Sequence, residues 1–155
     1  MTAALLEPLE KSVVVPLPPD RAFQLFTSGI ATWWPVRTHS IGEEQTVSCA
    51  IEPGVGGEVF ETQEDGTRAS WGRVLVWEPP HRFACSWYPG HTESEAQQVE
   101  VVFDGDGEQT HVVLRHYGWE ALGAKAAAVR NAYQNGWKLV FGELYPAAAQ
   151  KEAQS

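Results

Sequence analysis

The sequence predicts an α+β fold: an antiparallel sheet of about seven strands with one long C-terminal helix laid across it. Three observations predict it. Between Thr46 and Tyr117, short apolar-alternating runs are separated by tight turn signals, the mark of strands buried on one face. After Gly118 the period lengthens. Val129, Tyr133, Trp137, Val140 and Leu144 recur at steps of three and four and share one helical face. Seven tryptophans are present, five of them spread over these two parts and Trp33-Trp34 ahead of them, and each carries a large apolar face and an N–H that needs a partner. Side chains of that kind fill a core or wall a pocket.

Glu10 to Val15 reads as the first strand, stopped by Pro16, Pro18 and Pro19, which offer no N–H to a ladder. Pro18 or Pro19 opens a short helix over Arg21–Thr27 with Phe23 and Phe26 on one side, and Gly29 ends it. Ile30–Trp34 is a second short helical turn stopped by Pro35, and 36–44 is loop. Six strands follow: Thr46–Glu52, Gly57–Thr62, Thr67–Trp77, His81–Tyr88, Glu95–Phe103 and Glu108–Tyr117. Their separators are Pro53-Gly54, Glu64-Asp65-Gly66, Pro79-Pro80, Pro89-Gly90 and Asp104-Gly105-Asp106-Gly107. Such short connections join antiparallel neighbours rather than βαβ units. Pro146 is expected to end or kink the long helix near Leu144–Tyr145, with the tail beyond continuing as helix or fraying.

Alternation assigns faces. Phe83, Cys85 and Trp87, then Val99, Val101 and Phe103, then Val112, Leu114 and His116 form one inward surface. The helix stripe must cover an apolar surface, and this one is available. In Thr67–Trp77, Gly72, Val74 and Val76 fall on one side, and Trp71, Arg73, Leu75 and Trp77 on the other. If the second set faces outward, it is an exposed apolar strip and a candidate homodimer surface.

The length of 155 residues fits a single domain (1–155, with a core of about 10–145), large enough to bury a core without staples. At 43% hydrophobic and 20% charged residues, the composition is that of a folded chain rather than a disordered one. A net charge of −9 repels polyanions, which argues against nucleic acid and anionic membrane as partners. No apolar run reaches membrane-spanning length and no secretory pattern opens the chain, so the expected location is cytoplasmic, with Cys49 and Cys85 reduced and buried or half-buried.

A set of residues, in order, resembles a known family. Pro18-Pro19-Asp20-Arg21-Ala22-Phe23 is similar to its entry into the first helix, and Trp33-Trp34-Pro35 to its aromatic pair. Pro53-Gly54-Val55-Gly56-Gly57-Glu58 resembles its glycine turn. Trp71-Gly72-Arg73-Val74 and Trp77-Glu78-Pro79-Pro80-His81-Arg82-Phe83 resemble its central hairpin, followed by Ser86-Trp87. Thr110 to His116, Gly118, Gly136-Trp137 and Leu144 complete the match, which covers about residues 10–145. The family is the START-like, or SRPBCC (helix-grip), superfamily, in the branch named after the activator of the ninety-kilodalton heat-shock protein ATPase. The resemblance implies a β-α-α-β6-α order and a helix-grip fold, a curved antiparallel sheet of about seven strands wrapped around the long helix, with a cavity between them for a small, mostly apolar molecule.

The residues themselves leave the chemistry open. Gly54-Val55-Gly56-Gly57 lacks the lysine and following helix of a phosphate loop and reads as a turn. His39, His81, His91, His111 and His116 have no metal-ligand spacing, so neither metal nor cofactor is expected. Glu43-Glu44 reads as solvated surface. His116, inward beside Val112 and Leu114, has two roles open to it: a core imidazole, or an acid, base or hydrogen-bond partner in a pocket. The candidate ligand wall is Trp33, Trp34, Trp87, Phe103, His116, Tyr133, Trp137, Val140 and Phe141. The leading expectation is binding of a small hydrophobic or aromatic molecule, with no catalytic residue assigned. One alternative is an enzyme of the same fold using His116 with Tyr133 or Tyr117. Another is a co-chaperone-like partner of a larger ATPase, met through the acidic surface.

Overall fold

The computed structural model describes residues 6–154. Strand β1 (Leu9–Val15) leads into helix α1 (Pro19–Phe26), with Pro19 in its first turn, and then a single 3₁₀ turn at Ile30–Thr32. Strands β2 (Thr46–Ile51), β3 (Glu58–Gln63), β4 (Arg68–Glu78), β5 (Arg82–Trp87), β6 (Gln97–Gly105) and β7 (Thr110–Tyr117) come next. They form one seven-stranded antiparallel sheet in the order β1-β7-β6-β5-β4-β3-β2. The chain therefore meanders from β2 to β7, and β1 closes the far edge against β7. The α+β architecture expected from the period change is present.

The inward sets read from alternation are all buried: Phe83, Cys85 and Trp87; Val99, Val101 and Phe103; Val112, Leu114 and His116. Cys49 and Cys85 are both buried and free. Desolvation pushes the Cys49 thiol up to about 12 and the Cys85 thiol up as well, so both stay protonated.

Strand β4 departs from the simple alternation and corrects the expected outer strip. Trp71 is buried, Leu75 is 44% exposed, and Trp77 is half-buried. The pairing register shifts twice. β3 partners jump from Gly72 to Ser70, and β5 partners jump from Val74 to Val76. Each shift inserts one unpaired residue, first Trp71 and then Leu75, and each insertion reverses the facing of the residues beyond it. Trp71 and Val74 consequently both point inward. Trp77 packs on Phe23 (centroids 5.2 Å apart, edge-on) rather than into a strip with Trp71. Gly72 is required at the first bulge, because a Cβ there would stand 1.8 Å from the Ser86 carbonyl oxygen.

A 3₁₀ segment (Trp119–Lys125) turns the chain off the sheet into α2 (Ala126–Leu139). Pro146 does not end the helix. Val140–Leu144 widens into a π turn in which the Tyr145 N–H bonds the Val140 carbonyl, and α3 (Tyr145–Ala153) continues with Pro146 in its first turn. A proline ring collides with the carbonyl four residues earlier, here Gly142, and the widened turn absorbs that conflict. Trp137, Val140, Phe141, Tyr145 and Ala149 form the buried helix face. The Tyr145 hydroxyl donates to the Ala22 carbonyl at 2.8 Å and ties the helix to α1.

Candidate functional site

A cavity of about 330 Å³ lies between α2, the sheet and the loop after the 3₁₀ turn. Four tryptophans make its floor: Trp34, Trp71, Trp87 and Trp137, all buried. Trp34 is the hub. Its ring centroid is 5.2 Å from Trp71, 6.0 Å from Trp87 and 5.8 Å from Trp137. The wall on the loop side is Thr38, His39, Ser40 and Ile41, with Thr38 and Ile41 exposed at the rim. Pro89 and Gly90, from the β5–β6 connection, form a lip. Tyr133 and Gly136 complete it from α2.

Every floor indole commits its N–H inside the protein. Trp34 donates to the His39 carbonyl (2.7 Å), Trp71 to Glu61 (2.7 Å), Trp87 to the Tyr133 hydroxyl (3.0 Å) and Trp137 to His116 Nδ1 (3.0 Å). What the floor offers a guest is therefore aromatic surface, suited to stacking and edge contacts.

Glu61 fixes the loop wall. It is fully buried on β3, in phase with inward Val59. One carboxylate oxygen accepts the Ile41 N–H (2.6 Å) and Trp71 Nε1–H. The other accepts the Gly42 N–H (2.8 Å), the Thr46 hydroxyl (2.8 Å) and the Gln63 amide (3.0 Å). Burial pushes this carboxyl up, but the bonds from Trp71, Ile41, Gln63 and Gly42 outweigh burial and hold it below the ordinary value. One carboxylate thus joins the floor, through Trp71, to the rim, through Ile41.

Of the residues expected to wall a pocket, the structure brings Trp34, Trp87, Tyr133 and Trp137 together around the cavity. Trp33, Phe103, His116, Val140 and Phe141 do not border it. Phe103 packs against Phe23 (5.1 Å) in the core beneath α1. Trp33 turns away, donates to the Leu25 carbonyl (2.9 Å) and packs on Tyr145. Val140 and Phe141 lie a turn further along the helix, where it is packed solid. His116 sits behind the floor, stacked on Trp119 with centroids 4.1 Å apart.

His116 resolves as a core imidazole. Trp137 donates to its Nδ1, so its proton is on Nε2 and goes to Gln97 Oε1 at 3.1 Å. Burial pulls its pKa down from 6.5 to about 3. It is a neutral structural link with both nitrogens engaged. The residues that sequence reasoning missed are Trp71, Glu61, Gly136, the 38–41 loop and the Pro89-Gly90 lip. Glu61 had a signal, a lone carboxylate in phase with an inward valine. The loop had none.

Among the described residues no three His, Cys, Asp or Glu side chains cluster as a metal site, and no helix is long and apolar enough to cross a membrane.

The family model described as "activator of Hsp90 ATPase homolog 1-like protein" matches residues 16–148. The chain belongs to that family. No curated protein matches it. Among solved structures it is similar to an anthrahydroquino-γ-pyrone synthase, Txn09, at 34% identity and TM-score 0.58, over 83% of this chain and 88% of that one. It is also similar to CalC from Micromonospora echinospora, a self-sacrificing resistance protein. There the identity is 22% and the TM-score 0.64, over 94% of this chain and 95% of that one, and the likeness is one of fold. A Mesorhizobium loti protein, MLL2253, shares the fold at 15% identity and TM-score 0.62, over 90% of this chain and 94% of that one. The Hsp90-ATPase-activator-like fold is one that commonly binds hydrophobic ligands.

Proposed function

We propose that this member of the family binds a small, flat aromatic molecule in the cavity floored by the four tryptophans. The observation that carries the reading is that floor: four indoles in which Trp34 and Trp87 each touch the other three, with every N–H engaged elsewhere, beside about 330 Å³ of space. Ligand sites are mostly apolar with a few placed polar groups, and this volume lies at the small end of their range. Burying ~200 Å² of a ligand's apolar surface would contribute about 5 kcal/mol before ordering costs. Titration with the neutral fluorophore 1-aminoanthracene, followed by quenching of the intrinsic tryptophan emission, tests it. Saturable quenching is the expected result. Emission that stays unchanged up to the solubility limit of the probe would remove the reading.

The 34% identity with a synthase favours a second reading, in which the bound aromatic is also transformed. His116 is ill placed for such work, since neither nitrogen reaches the cavity. The polar side chains that border the space are Tyr133, His39, Thr38 and Ser40. Incubation with an anthrahydroquinone and analysis of products by mass spectrometry tests the idea. Conversion that is lost in Tyr133→Phe supports it, and an unaltered compound after prolonged incubation sinks it.

A further inference from the structure

Tyr133 holds a polar group that the fold leaves half-used. Its hydroxyl oxygen accepts the Trp87 N–H, yet among the described residues no acceptor stands within reach of its own proton. Its ring is clamped by His116 (4.6 Å, edge-on), Trp119 (6.0 Å) and Trp137 (6.2 Å), so the hydroxyl's position is fixed at the cavity wall. Burial raises its pKa and the Trp87 bond only partly offsets that, so the phenol keeps its proton at neutral pH. Receiving one hydrogen bond polarises a hydroxyl and strengthens the bond it donates.

The hydroxyls of Ser40 and Thr38 on the loop wall have partners inside the protein. The single Ser40 hydroxyl proton is taken up within the protein, between the Val36 carbonyl at 2.5 Å and Thr46 Oγ1 at 2.8 Å. Thr38 Oγ1 has the Pro35 carbonyl at 3.3 Å and His39 Nδ1 at 2.8 Å, the donor of the second bond being set by the imidazole tautomer. The four floor indoles are committed as described above. A donor left over beside an aromatic floor calls for a guest with an acceptor at its edge.

Resting on the binding function proposed above, we infer that the ligand is a flat polycyclic aromatic carrying a carbonyl-type oxygen, and that the Tyr133 hydroxyl is the donor that recognises it. Stacking on the indoles supplies the attraction, and the Tyr133–carbonyl bond fixes the in-plane orientation.

The test uses a matched pair, fluorene and 9-fluorenone, which share a tricyclic frame and differ in a methylene against a ketone. Dissociation constants for both are measured by tryptophan quenching on the wild-type chain and on Tyr133→Phe. The ketone's advantage over the hydrocarbon should shrink by roughly threefold to tenfold in the variant, the range for one neutral hydrogen bond. Tyr133→Phe also leaves the Trp87 N–H without its partner. A measurement on the unmodified protein therefore stands beside it: the infrared carbonyl stretch of bound 9-fluorenone should move to lower wavenumber than in a hydrocarbon solvent. If both compounds bind and the ratio is the same in wild type and variant, or the bound ketone stretch is unshifted, the inference falls and the binding reading stands. If neither compound nor 1-aminoanthracene binds the wild type, both fall.

Discussion

At His116 both ring nitrogens are bonded inside the protein and the ring is covered on one face by Trp119. His116→Asn is expected to lose stability, by roughly 2–4 kcal/mol, because it leaves the Trp137 N–H without its present acceptor and removes a stacked ring. Urea unfolding measures this, and an unchanged midpoint would return His116 to the list of reactive groups. The same residue sets a pH dependence. Its folded pKa of about 3 lies below the unfolded value near 6.5, so the unfolded chain takes up the proton first. Its contribution is full above pH 6.5 and declines as the pH falls toward 3, by up to about 1.4 kcal/mol per pH unit. Unfolding curves between about pH 7 and 5 should show that slope in the wild type and a shallower one in His116→Asn.

At the scale of elements, the 36–42 loop owes its place to strand β3, some twenty residues further along the chain. It has no periodic apolar pattern, and Glu61 accepts the Ile41 and Gly42 N–H groups that hold it down. Glu61→Ala strands buried donors and is expected to cost on the order of 3 kcal/mol. Hydrogen exchange at Ile41 and Gly42 should accelerate well beyond that at β6 and β7 amides. Equal acceleration everywhere would show that Glu61 serves the whole fold and not the loop. The Glu61 carboxyl is held below its ordinary value, so its share of stability is full above about pH 4.5 and is lost as the pH falls through the folded value. The neighbouring strand β4 is the other element whose role comes from pairing. Its two register shifts, at Trp71 and Leu75, decide that Trp71 becomes floor.

At the scale of the whole molecule, the cavity between helix and sheet lies at the Gly136 end of the long helix. Toward the π turn the helix is packed solid on Phe26 and Trp33, whereas at Gly136 an added Cβ would meet nothing within 4 Å. Gly136→Leu should then raise the melting temperature by a few degrees, since glycine costs a helix interior roughly 0.8–1 kcal/mol relative to alanine and leucine ranks just behind alanine. The same variant should abolish 1-aminoanthracene quenching by filling the cavity. Calorimetry and titration check the two effects together. A sharp fall in melting temperature would mean that the site has no room for the side chain.

Most of the architecture was legible in the sequence, because facing is a local property. Alternation in β5, β6 and β7 and the three-and-four spacing of Trp137 and Val140 dictate which side chains point inward whatever lies opposite them. Depth is not local. Whether an inward side chain meets another side chain or an empty space depends on how far the helix stands from the sheet at that point. Phe103 and Trp34 therefore read alike in the sequence, yet one is core and the other is floor. The bulges in β4, the carboxylate that holds a distant loop and the commitment of each indole N–H depend on contacts between segments far apart in the chain. Only the tertiary structure decided them.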